Sequence, residues 1–309
     1  MKKYYTIIFL FIFCWMNTLL HSQEVRIFTI DDFDLKGDVK SCTVITNYGK
    51  EEFDFDENGY LTKLVTRYND MDYAITYYKY DNEELIEKRE ENYRDGEFDE
   101  STSIANFYEI DTIPSRKVTE KIFSYNKEPL DQYKYSYNLD GKLASIKQTN
   151  NEGIDETIVE YAGYKGESTI SYLLDGVVQK SIRTSERKRK GVVQKIVLIK
   201  EFLEGEPIRA FEETYDANDK LISEVKFAYD IETKEFALEE KIIYHYDEVG
   251  VLDRTILKRG EHEALIKDYI YQYDGSIFKN WVKQIITPDN TYTTRKIEYY
   301  LRLELTEEK

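Results

Sequence analysis

Asp54, Asp56 and Asn58, each one residue apart and followed by Gly59, could converge their oxygens on a divalent cation. The first half of an EF-hand calcium loop has this spacing, and such a loop closes with a bidentate glutamate at its twelfth position. Counted from Asp54, the twelfth residue is Val65. The slot of Asp54 is filled in related stretches by Lys79, Ser136, Thr214, His245 and Gln272, a variation no ligand position tolerates. The stretch therefore reads as a turn, and no metal is expected.

Other chemistry is sparse. His21, His245 and His262 are far apart, and no Cys/His spacing suits zinc. No glycine-rich phosphate loop and no serine-nucleophile motif occurs, so no cofactor is expected. With 60 acidic residues, a carboxylate pair for glycoside hydrolysis stays open as the alternative to a non-enzymatic reading. Cys42 lies in Ser41-Cys42-Thr43-Val44-Ile45, a strand-like run in which a buried small residue is expected rather than a nucleophile.

Tyrosine is the unusual enrichment, with 28 in the chain. Adjacent residues of a strand point to opposite faces. Tyr77-Tyr78 and Tyr299-Tyr300 thus place a ring on each side of the sheet, and these four are the candidate binding residues, as a platform for a glycan or another exported protein.

The elements that position these groups follow from a repeat. Tyr244-His245-Tyr246-Asp247-Glu248-Val249-Gly250-Val251-Leu252 has sisters in Phe53–Leu61 and Tyr135–Leu143, and weaker ones at Tyr78, Thr214 and Tyr271. Their separations, near 25 to 31 residues or multiples of that, mark a stacked supersecondary unit. In each copy aromatics alternate with polar residues, the period of a half-buried strand. Asp or Asn then opens a turn by bonding backbone ahead of it. Gly59, Gly141 and Gly250 follow where a positive φ is needed. His245, between two packed tyrosines, should face solvent. The segment Glu83–Glu91 reads as the strand after a turn. Asn150–Gly153, Asp175-Gly176 and Glu204–Pro207 read as further turns, and the basic run Arg187–Lys190 as a hairpin tip.

Lys2 and Lys3 before the apolar run Tyr4–Trp15, with polar residues up to Ser22, have the form of a cleaved export signal over residues 1–22. The apolar run is shorter than the roughly 20 residues of a spanning helix, so no membrane span is expected after cleavage. Phe13 and Trp15 are too bulky for Cys14 to carry a lipid. Cleavage leaves Cys42 as the single cysteine, so the fold must rest on its core and strand pairing. The formal charge of −17 becomes −19 once the two leader lysines go, which repels nucleic acid.

The repeat units resemble the YD repeats of the RHS family, in which Tyr-x-Tyr-Asp is followed after two residues by Gly and an apolar residue. Tyr244, Tyr246, Asp247, Gly250 and Leu252 match that pattern. Asp34-Leu35-Lys36-Gly37-Asp38-Val39-Lys40-Ser41 resembles the opening of small exported bacterial proteins of this kind. Tyr271-Gln272-Tyr273-Asp274 with Lys279-Asn280-Trp281-Val282-Lys283 and Arg295–Tyr299 resembles their closing unit, with Lys279 where a glycine is usual. The resemblance implies architecture, export and glycan binding, and no catalytic residue.

The expectation is a single all-β domain over residues 23–309, an antiparallel meander of hairpins twisted into a curled open sheet or partial barrel. Its expected role is binding or scaffolding in the periplasm, at the cell surface or outside the cell.

Overall fold

In the computed structural model, residues 25–189 and 191–301 are described, so the leader expected over residues 1–22 lies outside them. Among the described residues the chain is all-β apart from one 3-10 turn at Ile30–Phe33. The first ten strands are β1 (Val39–Thr46), β2 (Gly49–Phe55), β3 (Leu61–Arg67), β4 (Tyr73–Asp81), β5 (Glu84–Arg94), β6 (Glu97–Asp111), β7 (Lys117–Ser124), β8 (Pro129–Tyr137), β9 (Leu143–Asn150) and β10 (Ile154–Tyr164). They are followed by β11 (Glu167–Leu174), β12 (Val177–Arg189), β13 (Val192–Leu203), β14 (Glu206–Tyr215), β15 (Leu221–Asp230), β16 (Glu235–Tyr246), β17 (Leu252–Arg259), β18 (Leu265–Tyr273), β19 (Trp281–Thr287) and β20 (Thr291–Tyr299). The basic run expected at a hairpin tip lies at the closed end of the β12–β13 hairpin, where Arg187 to Arg189 are the exposed last residues of β12.

Each strand pairs antiparallel with its neighbours in sequence, and β1 also pairs with β20. Cys42 lies opposite Phe53 on one side and Ile297 on the other. The expected open sheet or partial barrel is therefore corrected: the 20 strands close into a complete ring. Closure removes both sheet edges, each of which would otherwise present a row of unpaired N–H and C=O groups.

The recurring turn has one mechanism. The Asp56 carboxylate accepts the N–H groups of Asn58 and Tyr60, both at 2.9 Å. Asn138, Asp216 and Asp247 do the same for the residues two and four positions ahead. Of the residues that suggested calcium, Asp56 therefore spends one carboxylate oxygen on the backbone of its own turn. The fourth turn residue is left-handed, as Gly59, Gly141 or Gly250, and as Asp219 in the copy without glycine. A Cβ on Gly141 would meet nothing within 4 Å, yet φ there is +75°. Gly141→Ala is expected to lower stability by about 1–2 kcal/mol through backbone conformation alone, read as a shift in urea midpoint. Two-residue turns with both φ positive, such as Asp175-Gly176, close other hairpins in the type I′ form that matches strand twist.

A bulge beside each Asp turn explains much of the tyrosine. Between Asp54 and Phe55 the register slips, so Leu61 opens β3 out of step with the ladder. The Tyr80 hydroxyl on β4 donates to the Leu61 carbonyl at 2.8 Å. Tyr161 and Tyr246 repeat this toward Leu143 and Leu221, at 2.9 and 2.7 Å. Tyrosine spans the distance with an apolar ring and satisfies the carbonyl at its tip.

Directly opposed residues share a face, so each face can be followed round the ring. One carries Cys42, Phe53, Val118, Tyr135, Ile146 and Tyr269, all buried. The other carries exposed charges in mid-strand, including Arg89, Lys134, Lys147, Arg183, Arg254 and Lys296. We assign the occluded face to the lumen. Two apolar clusters lie on it, one around Leu35, Phe53 and Leu61 and one around Val118, Tyr135 and Val159.

Residues 25–38 form a strap along the inward face. Phe28, Ile30, Phe33 and Leu35 pack on the first cluster, and Val25 reaches the second. The strap grips both sides of the β20–β1 seam. Toward β3, the Ile30 N–H donates to Gly59 O and the Leu61 N–H to Phe28 O. Toward β19 and β20, the Asn280 side chain bonds both backbone groups of Lys36, and the Arg295 guanidinium donates to the carbonyls of Phe33 and Asp34.

Candidate functional site

The four tyrosines singled out from the sequence separate in space. Tyr78 points inward and packs on the first cluster, 6.1 Å from Phe28. Tyr299 is also inward; it accepts from the Asn280 amide at 2.8 Å and donates to Asp274. The Tyr300 hydroxyl donates to the Phe55 carbonyl. Tyr77 points outward, is 37% exposed, and has the Lys63 ammonium 5.9 Å from its ring centre. No single platform contains all four.

Beside Tyr77 the outward face carries an aromatic strip. Arg67, Tyr73, Tyr93 and Phe98 occupy directly opposed positions on β3, β4, β5 and β6. The Arg67 guanidinium lies 4.8 Å from the Tyr73 ring centre, on the side away from β5. Tyr73 stacks on Tyr93 at 4.5 Å and 11°. Phe98 meets Tyr93 edge-on at 5.5 Å, and Tyr125, on the turn after β7, meets Phe98 edge-on at 4.7 Å. Phe107 and Phe123 form a further outward pair on β6 and β7. The row ends at the rim opposite the Asp turns, because turns after odd-numbered strands all lie at that end. Sequence reasoning missed Tyr73, Tyr93, Phe98 and Tyr125 because none occupies a repeat position. The usable signal was aromatic residues at slots that vary between copies, and only the register shows that they line up.

The inward face between β12 and β17 mixes charged rows with apolar ones such as Ile182, Ile199 and Phe211. Lys180, Glu201 and Arg209 alternate in charge across three strands, as do Lys226, Glu240 and Arg259 across three more. Glu213 instead directly faces Glu224. Tyr215 donates to Glu213 at 2.8 Å and Tyr244 donates to Glu224. Burial, against the Tyr244 hydrogen bond and with the Glu213 and Glu240 charges, holds Glu224 above the ordinary glutamate range. A hydrolase of the carboxylate type would need two such facing groups beside a substrate cleft. Two open depressions, of about 420 Å³ by Arg259 and His262 and about 270 Å³ by Phe123 and Leu130, are lined by neither carboxylate.

Because folded Glu224 keeps its proton to higher pH than the unfolded chain, stability falls as pH rises from the ordinary glutamate value to the raised one. Glu224→Gln keeps an acceptor for Tyr244 and removes the like-charge contact. It is expected to flatten that slope and to add about 0.5–1 kcal/mol at neutral pH, measured by urea unfolding between about pH 4 and pH 8.

Cys42 is buried under the strap, and burial pushes its thiol up to about 11. His245 is exposed on the outward face opposite Arg254. Among the described residues no group of three or more His, Cys, Asp or Glu could hold a metal ion, and no helix is long and apolar enough to cross a membrane.

No protein-family model matches the chain, and no curated protein matches it. Among solved structures it is similar to a porin-like protein from Bacteroides uniformis ATCC 8492, with 9% identity over 84% of this chain and 96% of that one, and a TM-score of 0.32. A porin-like protein from Bacteroides vulgatus ATCC 8482 gives 12% identity, 85% and 99% coverage and a TM-score of 0.28. At these scores neither fold detail nor function is carried over.

Proposed function

We propose that this chain is an exported, non-enzymatic β-barrel that binds a protein partner through the aromatic strip on its outward face. The observation that carries the proposal is the row from Arg67 to Tyr125, five side chains from five successive segments brought into one line at an exposed rim. Tyrosine, arginine and phenylalanine are the residues enriched at the centres of protein interfaces.

The same geometry favours protein over glycan. A sugar stacks on a free ring face, and both faces of Tyr73 are taken, by Arg67 and by Tyr93. Apart from Tyr125 at its free end, the strip offers ring edges and hydroxyls instead. Charges such as Arg89, Lys147 and Arg183 on the outward face interrupt the apolar band, about 25 Å tall, that a membrane-spanning barrel turns to lipid. Export rests on the leader-like residues 1–22, and the RHS-like repeat remains a resemblance of pattern.

The test is site-specific photocrosslinking in the native cell envelope, with the crosslinker at position 125 and, as control, at position 158 on β10. A discrete adduct from position 125 alone, lost in Phe98→Ser, supports the reading. Equal adducts from both positions, or binding on a glycan array that survives Phe98→Ser, would overturn it.

A further inference from the structure

The rim on which the aromatic strip ends is rigid and acidic. Its two turns are bonded to each other: the Gly96 N–H donates to the Met71 carbonyl at 2.9 Å and the Asp95 N–H to the Asp72 carboxylate at 3.0 Å. Asn69 fixes the first turn further by accepting the N–H groups of Met71 and Asp72. Residues 68–72 and 94–100 carry six acids, Asp70, Asp72, Asp95, Glu97, Asp99 and Glu100, against one base, Arg94. That arginine is engaged by Asp99 at 3.2 Å. Hydrogen bonds, first from the Asn69 amide to Asp72 and from the Ser101 hydroxyl to Asp99, hold both carboxyls below the usual range. Asp70, Asp95, Glu97 and Glu100 are exposed.

Apolar groups lie among these charges. Met71 is 54% and Tyr125 53% exposed. This face already holds cations over tyrosine rings, Arg67 at Tyr73 and Lys63 at Tyr77. Among the described residues no cation of the chain lies over Tyr125, at the free end of the row.

We infer that the partner segment seated on this rim is cationic, a stretch of polypeptide in which lysine or arginine alternates with apolar residues. This rests on the protein-binding reading above and adds the partner's chemistry to it. The acids would draw such a segment in by long-range attraction and fix its register. Its apolar side chains would cover Met71 and Phe98, and one cation would take the open position over Tyr125. The interlocked turns are ordered before the partner arrives, so little conformational freedom is lost on binding. The same field repels anionic lipid headgroups and nucleic acid.

The probe is a short fluorescein-labelled peptide alternating arginine and leucine, with a counterpart carrying glutamate for arginine, titrated with the exported chain. Because so acidic a chain, of net charge −17 before any leader is lost, attracts any polycation, the decisive comparison is between matched neutralisations. Asp95→Asn with Glu97→Gln on the rim is expected to weaken arginine-peptide binding about tenfold, and Glu156→Gln with Glu160→Gln on the outward face of β10 less than about twofold. Tyr125→Ser, on a turn and outside every strand, is expected to weaken binding about fivefold while lowering stability by no more than about 1 kcal/mol, the worth of its edge-on contact with Phe98. Equal losses from rim and β10 variants, or equal binding of the glutamate peptide, would overturn the inference. If the position-125 adduct persists undiminished in Asp95→Asn with Glu97→Gln, the cationic chemistry fails while the protein-binding reading stands. If no position-125 adduct forms in the parent chain, that reading itself fails.

Discussion

Asn280→Ala is expected to lower the stability of the barrel by about 2–3 kcal/mol, because it leaves two backbone groups under the seam without partners. Asn280 is 2% exposed. Its carbonyl oxygen accepts the Lys36 N–H at 2.9 Å, and its amide donates to Lys36 O and to the Tyr299 hydroxyl, both at 2.8 Å. Alanine removes all three contacts at once, and the strap loses its main polar hold on the β19 side. Asn280→Asp is the informative companion. It keeps the acceptor for Lys36, loses both donors, and sets a carboxylate near the one that Tyr299 already meets at Asp274. It should be at least as destabilised as the alanine variant at neutral pH. Urea unfolding measures both, with an unchanged slope showing that midpoint shifts report stability. A loss below about 0.5 kcal/mol for Asn280→Ala would mean that water replaces the amide and that the strap is not held there.

Leu35→Ala is expected to cost about 3 kcal/mol, within the range for emptying a fully enclosed leucine site. Leu35 is 1% exposed, and Phe53, Phe55 and Leu61 belong to the same cluster. The rigid sheet below it leaves little room for collapse into the cavity. Leu139→Ala is the control: that leucine is 90% exposed at a turn, and its loss should change stability by less than about 0.5 kcal/mol. Leu35 and Asn280 hold the same short strap, so the double variant should lose less than the sum of the two. A shortfall of about 1 kcal/mol would show that the strap releases as a unit. Full additivity would show that it does not.

These two residues belong to stretches near opposite ends of the chain, 34–41 and 271–299. In the folded chain the stretches touch. The Trp281 indole N–H donates to Asp34 at 3.0 Å, Asn280 clasps Lys36, and the Tyr300 N–H donates to Asp38 O at 2.8 Å. Their distinctive residues serve the seam. Arg295, 7% exposed with its guanidinium 3.5 Å from the Trp281 ring centre, holds the carbonyls of Phe33 and Asp34 where the 3-10 turn ends.

The hairpin unit was legible from sequence because its causes lie within nine residues. Asp247 bonds the backbone two and four residues ahead, Gly250 supplies the left-handed turn residue, and alternation about His245 sets the faces. None of that depends on the rest of the chain. Closure was not legible, because pairing Cys42 with Ile297 joins residues at opposite ends of the chain, and an open and a closed meander have the same local pattern. The aromatic strip was hidden for the same reason. Tyr73, Tyr93, Phe98 and Tyr125 become neighbours only once the register of β3 to β7 is set, and a slip of one residue would turn a strand's rings to the other face. By itself, then, the sequence determined an all-β chain of Asp-turn hairpins with tyrosine on the packed face, since turn chemistry and period-two burial act between near neighbours. Only the tertiary structure decided that the ring closes, that a strap locks its seam from inside, and that an aromatic row meets an acidic rim outside. Those features are set by contacts between residues far apart in the chain, which no local pattern encodes.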